Sequence, residues 1–242
     1  MPLLAPVKAD IDSFIAHPRT FMRNCVAELG FQSAPGVSGG DIKVCGKNMK
    51  MTLKQDPGWT VYQSTNQLDE LGQVIKKTMK FYKIVPATGT EPSFDAYYCP
   101  YEDDTSLGVV VGPHANFMFT PLQNGCSLGI GSAGPDGSRL VFHANKRNVK
   151  DNVQGQRDQL KSGFQAAGHT IEKVWEKSAY MFDVPGLSHL VTYQLNATSF
   201  GARNPKTGSW HFYSQIHEKV PPGKIYLRGL KSMKGTGKPD GM

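Results

Sequence analysis

Cys126 and His143 are the pair in this chain whose types and spacing suit a thiol nucleophile and its base. A free thiol has a pKa of ~8.5, and a neighbouring imidazole activates it by taking the proton and stabilising the thiolate. His143 stands seventeen positions after Cys126, and the stretch between them reads as a β-hairpin. Ser127–Ser132 alternates like a strand, Ala133–Ser138 supplies a loop of Gly, Pro and Asp, and a second apolar run ends at His143. With Cys126 opposite His143, Leu128 opposes Val141 and Ile130 opposes Arg139. Directly opposed residues share a face with Cβ atoms roughly 4.5–5.5 Å apart, close enough for a thiol–imidazole hydrogen bond. Gly125 removes side-chain bulk beside the thiol, and the backbone N–H groups of Asn124, Gly125 and Cys126 could stabilise an oxyanion. The group that orients the imidazole is open among Thr120, Asn145 and a backbone carbonyl, and Asn145, on the same face as His143, is also a candidate substrate contact with Asn124 and Gly125.

Other candidates read as structural. Cys25 falls in a helical apolar pattern, Cys45 in a strand, and Cys99 precedes Pro100 with no evident partner. His114 is the second choice for the base. None of the four cysteines lies in a C-x-x-C pair or at zinc-ligand spacing from a histidine, so no metal is expected and the thiols read as reduced. Gly129-Ile-Gly131-Ser-Ala-Gly134 matches a dinucleotide fingerprint, but Pro135 and then a strand follow where a helix is required, so no nucleotide cofactor is implied. Asn196-Ala-Thr198 reads as a chance sequon, and Glu102-Asp103-Asp104 as an acidic loop tip. Trp210–Tyr213 alternates like an ordinary strand.

The elements that must position the pair are mostly strands. Short β-like runs are expected at Asp41–Cys45, Met49–Leu53, Trp59–Gln63, Ser93–Tyr98, Leu107–Val111 and Asn116–Thr120. After the hairpin they continue at Tyr180–Val184, Leu190–Asn196, Ser199–Arg203, Trp210–Gln215 and Ile225–Leu227. Helices are expected at residues 10–15, Pro18–Gly30 and Asn66–Lys80, and at Gln154–Ala167 with Leu160, Phe164 and Ala167 inward. Gly36–Gly40 reads as a loop and Pro86–Pro92 as a turn-rich connector. Strands in runs with inserted helices predict an α+β fold, drawn as a mixed, largely antiparallel β-sandwich with flanking helices. The whole of 1–242 is expected to form one catalytic domain, with a helical segment over 1–30 and a flexible basic tail over 229–242.

The stretch Phe119-Thr120, four residues, Gly125-Cys126, a Gly-rich turn and an apolar strand ending in His143 resembles the Cys–His core of the bacterial glutamine deamidase toxins. That group includes the cytotoxic necrotising factor catalytic domain and Burkholderia lethal factor 1. Its Leu-Ser-Gly-Cys motif survives here as Gly125-Cys126, with Gln123-Asn124 at the first two places, and the similarity covers residues 115–145. The resemblance implies that Cys126 is the nucleophile and His143 the base, and that Thr120 matches a Thr of the lethal factor. It also implies a virulence effector that acts in a host cytoplasm on a glutamine of a host protein.

Composition fits a globular domain. Of 242 residues 39% are hydrophobic and 19% charged, and no apolar run approaches the ~20 residues of a membrane helix, so a soluble chain without membrane insertion is expected. No Sec signal peptide is read at the N-terminus. The net charge of +7 is spread along the chain, which makes nucleic acid a weak expectation. The reading is a monomeric cysteine-dependent glutamine deamidase without cofactor. Its alternatives are a transglutaminase, a cysteine protease, or a non-catalytic basic module for nucleic acid or an acidic protein. A papain-like protease would place its His ~130–150 residues after the Cys.

Overall fold

A computed structural model describes residues 2–31, 42–68, 74–146, 152–180 and 194–233. The chain opens with two short helices, α1 (Lys8–Ala16) and α2 (Pro18–Arg23), followed by strand β1 (Cys25–Leu29). Next come β2 (Ile42–Val44), β3 (Lys47–Gln55), β4 (Thr60–Leu68), β5 (Val74–Pro86), β6 (Phe94–Tyr98), β7 (Ser106–Val111) and β8 (Phe117–Phe119). The hairpin is β9 (Ser127–Gly131) and β10 (Arg139–Ala144). Helix α3 (Asn152–Ala166) and β11 (Ile171–Trp175) follow, then a 3-10 turn at Lys177–Ala179. The described chain closes with β12 (Gln194–Arg203), β13 (Trp210–Val220) and β14 (Lys224–Ser232).

The α+β class holds, but the architecture is a closed barrel and not a sandwich. Eight strands run β5-β3-β6-β8-β12-β13-β14-β4, and β4 closes the ring by pairing with both β14 and β5. Closure leaves no free edge on those strands, the protection a sandwich must obtain by other means. Strand β1 pairs parallel to β5 beyond the end of β4. On its other side the Gln215 side chain stands in for a neighbouring strand. Its amide nitrogen donates to the carbonyls of Met22 (2.5 Å) and Cys25 (2.8 Å), and its oxygen accepts from Ala27 N–H (3.0 Å). These bonds satisfy backbone groups that burial would otherwise leave unpaired.

The barrel core is aromatic. Phe14 of α1 reaches Phe117, Phe94 and Phe119 at 4.7, 5.1 and 6.0 Å between ring centroids, joined by Ile11, Met22, Tyr98 and Phe200. A second sheet, ordered β11-β9-β10-β7-β2, lies on the outside of the wall. Tyr97, Met118, Ala197, Phe212 and Ile216 of the wall pack on Val109, Leu128, Ile130, Val141 and Trp175 of that sheet. Helix α3 covers its other face through Leu160 and Phe164 against Leu140, Phe142 and Ala144. No helix among the described residues is long and apolar enough to cross a membrane.

Several expectations are corrected. The helix drawn over Pro18–Gly30 stops at Arg23, because Cys25–Leu29 gains strand pairing with β5 and buries all five of its residues. Asn66–Leu68 and Val74–Lys80 are not helical either: β4 and β5 pair antiparallel, and the Val-, Ile- and Thr-containing run from Val74 extends as a 13-residue strand, while residues 69–73 of that expected helix lie outside the described residues. Residues 229–233 do not fray, since β14 runs to Ser232 along β13 and Met233 is buried. The two strands drawn over Leu190–Arg203 form one from Gln194 on. Ala167 lies just past α3 and is exposed. The loop at Gly36–Gly40 and residues 181–184, 190–193 and 234–242 lie outside the described residues, and Tyr180 ends a turn.

The glycine-rich stretch lies in β9 and the turn after it, and close packing accounts for two of its glycines. A Cβ on Gly129 would stand 2.7 Å from Phe164 Cε2 and 2.8 Å from Leu160 Cδ2, and one on Gly131 2.9 Å from Phe164. These glycines let α3 approach the sheet, a role unrelated to nucleotide binding. Gly129→Ala is expected to lower stability by about 1–3 kcal/mol in urea denaturation, the cost of overpacking a filled core. An unchanged midpoint would show that α3 can shift away freely.

Candidate active site

The seam between barrel wall and outer sheet collects the residues of interest. Thr120 follows β8 on the same face as Met118, pointing out of the barrel. The segment after it is fastened to β12: Thr120 N–H donates to the Ser199 carbonyl (3.3 Å), and Gln123 exchanges both backbone bonds with Ala197 at 2.8 Å. The Ser199 hydroxyl also donates to the Gln123 side-chain oxygen. His143 faces Thr120 from β10, and the two meet at 2.5 Å between Thr120 Oγ1 and His143 Nδ1. Both are buried.

The hairpin forms as expected, but its register is shifted by two residues. His143 pairs with Leu128, Val141 with Ile130 and Ala144 with Ser127. Ser132 therefore joins the loop, which runs over residues 132–138, and continuing the ladder puts Cys126 across from Asn145. A shift of two preserves the face, so Cys126 and His143 still look the same way, now as diagonal neighbours. The direct thiol–imidazole hydrogen bond expected from the other register is not formed: Nδ1 faces Thr120, and Nε2 is buried with no hydrogen-bond partner among the described residues.

Asn145 does not orient the imidazole. Its amide nitrogen donates to Tyr101 Oη (2.8 Å) and Asp103 Oδ1 (3.0 Å), and the Tyr101 hydroxyl donates to the same Asp103 oxygen at 2.6 Å. Tyr101 lies against His143 with ring centroids 5.1 Å apart. Of the three possible orienting groups, Thr120 is the one at Nδ1.

Around the thiol, Gly125 adopts φ +135°, a conformation in which a side chain would be strained. Among the described residues no atom lies within 4 Å of where its Cβ would stand, so there is space above this peptide. Asn124 is exposed and Cys126 is buried. Two side chains hold the loop. The Tyr180 hydroxyl accepts from Gly125 N–H and donates to the Cys126 carbonyl, both at 2.8 Å. Gln156 donates to the Gly125 carbonyl (2.8 Å) and accepts from the Ser127 hydroxyl (2.6 Å). The Gly125 N–H assigned to an oxyanion hole is therefore held by Tyr180 in this structure.

Tyr101, Asp103, Gln156 and Tyr180 escaped the sequence reading. Gln156 alone left a signal, standing four residues before Leu160 on the inward stripe of a helix. The remaining candidates lie elsewhere or stay structural. Cys25 donates to the Phe21 carbonyl (3.3 Å), and burial raises its thiol pKa, with Asp10 adding to the rise. Burial likewise raises that of Cys99, whose sulfur lies 3.6 Å from the Leu107 carbonyl. Cys45 is partly exposed, and His114 is exposed in the turn after β7. No group of three or more His, Cys, Asp or Glu that could hold a metal occurs among the described residues.

Burial pushes His143 from its ordinary 6.5 down to about 3, so the folded protein keeps it neutral. Between those values the unfolded chain binds a proton that the fold refuses. Stability is therefore full above about pH 6.5 and falls as pH drops toward 3, by up to about 1.4 kcal/mol per pH unit. Glu28 behaves similarly lower down. Burial opposes ionisation there, but the His217 hydrogen bond and the charges of His217, Lys219 and Lys83 outweigh it and hold the carboxyl well below its usual 4.5. Urea denaturation from pH 6.5 to 5 is expected to show a clearly steeper loss for wild type than for His143→Gln; equal slopes would mean that His143 protonates freely in the fold. No protein-family model matches this chain, and no curated protein matches it either.

Proposed function

We propose that the chain is a cysteine-dependent protein glutamine deamidase with Cys126 as nucleophile, His143 as acid–base and Thr120 as the group that orients the imidazole. One observation carries the reading: Thr120 engages Nδ1 at 2.5 Å and leaves Nε2 without a partner among the described residues, on the face that Cys126 shares. A neutral imidazole fixed through one nitrogen and open at the other is the arrangement a thiol needs from its base.

In the reaction, Nε2 takes the thiol proton and the thiolate adds to the glutamine side-chain carbonyl carbon. As the tetrahedral intermediate collapses, the imidazolium returns that proton to the leaving nitrogen. The C–N bond breaks, ammonia departs and a thioester remains. Water then gives a proton to Nε2 and attacks the thioester. The C–S bond breaks, the sulfur recovers the proton and glutamate is released. One water is consumed and one ammonia formed. Burial disfavours an isolated imidazolium, so protonated His143 forms together with the thiolate as a neutralising pair. By its resemblance to the deamidase toxins, the protein acts as a bacterial effector on a host protein in the host cytoplasm.

Incubation with a eukaryotic lysate is expected to release ammonia and convert a glutamine to glutamate by mass spectrometry. Cys126→Ala should abolish both, and Thr120→Val, which loosens the imidazole, should slow them by about 10²-fold. Equal release by wild type and a folded Cys126→Ala variant would overturn the reading. Steeply salt-dependent nucleic-acid binding without turnover would favour a binding module instead.

A further inference from the structure

The two backbone groups that flank the Gly125–Cys126 peptide, the Gly125 N–H and the Cys126 carbonyl, face one side chain. Within that peptide, Gln156 takes the Gly125 carbonyl and Ser127 fixes Gln156. One donor, the Gly125 N–H, and one acceptor, the Cys126 carbonyl, are both bound by the single oxygen of Tyr180. The phenol is fully buried at the end of the 3-10 turn and accepts with its lone pair while donating its proton. Burial, with the Cys126 thiol adding to the effect, raises its pKa, so the hydroxyl keeps the proton that this double role requires.

A primary carboxamide has the same pair of capacities. Its carbonyl oxygen accepts and its NH₂ donates. A carboxylate has only the first, and its second oxygen would set lone pairs against the Cys126 carbonyl. Among the described residues nothing lies within 4 Å of where a Gly125 Cβ would stand, and that side gives an approach to this pair.

We propose that the Gly125 N–H and the Cys126 carbonyl are the recognition pair for a primary carboxamide, and that the Tyr180 hydroxyl occupies the pair until a substrate carboxamide displaces it. The inference rests on Cys126 as nucleophile and adds how the site selects its substrate class and why the empty site is closed. The pair holds the carboxamide carbon beside the thiol, and the Gly125 N–H becomes the oxyanion donor when Tyr180 leaves it. The product carboxylate loses the donor half of the match, so Tyr180 regains the pair and expels it. Tyr180 is a positioning residue that touches substrate only as its competitor.

The test compares two alkylating agents, one a carboxamide and one a carboxylate, on the full chain. Modification of Cys126 by iodoacetamide and by iodoacetate is followed by peptide mass spectrometry. Tyr180→Phe removes the competitor oxygen and keeps the ring. It is expected to raise the iodoacetamide rate by about tenfold, the order of one freed hydrogen-bonding pair, with a much smaller rise for iodoacetate. Acetamide should protect the variant, and acetate should not. Gln156→Ala loosens the same loop without vacating the pair, so it should not change the ratio of the two rates. Equal acceleration of both reagents by Tyr180→Phe, or none, would overturn the proposal. A second measurement needs no variant. On titration of the wild type, the Gly125 amide resonance should shift with N-acetylglutamine methylamide and not with the glutamate analogue; identical responses would overturn it even if Tyr180→Phe failed to fold. Neither readout requires turnover. A chain that prefers carboxamides yet releases no ammonia would sink the deamidase reading and leave this one standing.

Discussion

An apolar seam between the barrel wall and the outer sheet constrains the rest of this protein. Met118, Ala197, Phe212 and Ile216 meet Leu128, Ile130 and Val141 across it, and a polar atom caught inside without a partner is costly. Thr120 Oγ1 and His143 Nδ1 spare each other that cost from opposite layers, one on the segment after β8 and one on β10. Their hydrogen bond therefore does two things at once. It pins the hairpin to the barrel and fixes which imidazole nitrogen remains available.

Barrel closure supplies the rigidity behind that bond. Thr120 and Gln123 are tied to β12, and β12 is held along its length by β13 within the closed ring. The outer sheet is stiffened from behind by α3, whose approach depends on glycines in β9. A side chain held between two such layers has few alternative rotamers, and that fixity is what an acid–base group requires. The same tightness buries Cys126 and His143 and disfavours charge on the imidazole.

The Cys126 loop is organised by side chains from distant places, Gln156 on α3 and Tyr180 after β11. Both satisfy backbone groups that the left-handed turn at Gly125 removes from the hairpin ladder. Tyr101, Asp103 and Asn145 form a second polar group against His143. Their bonds lock the amide that the sequence had offered as an orienting group and set an aromatic wall beside the imidazole.

Local patterns in the sequence determined the hairpin, most of the short strands, the helix at Asn152–Ala166 and the shared face of Cys126 and His143. Each depends on alternation, glycine and proline placement or helical spacing, which act over a few residues. The sequence also excluded a nucleotide fold at Gly129–Gly134, since a strand follows the glycines. Tertiary structure decided the rest. Cys25–Leu29 and Val74–Lys80 carry apolar spacing compatible with a helix, yet the first gains more by pairing with β5 far along the chain and the second by pairing with its neighbour β4. Barrel closure is likewise a property of many pairings together, which no one segment encodes. The two-residue register shift left every side chain on its face, so hydrophobic alternation could not detect it. Tyr180 reaches Gly125 across 55 positions, and a bond of that span leaves no periodic trace in the sequence because only the folded chain brings its ends together.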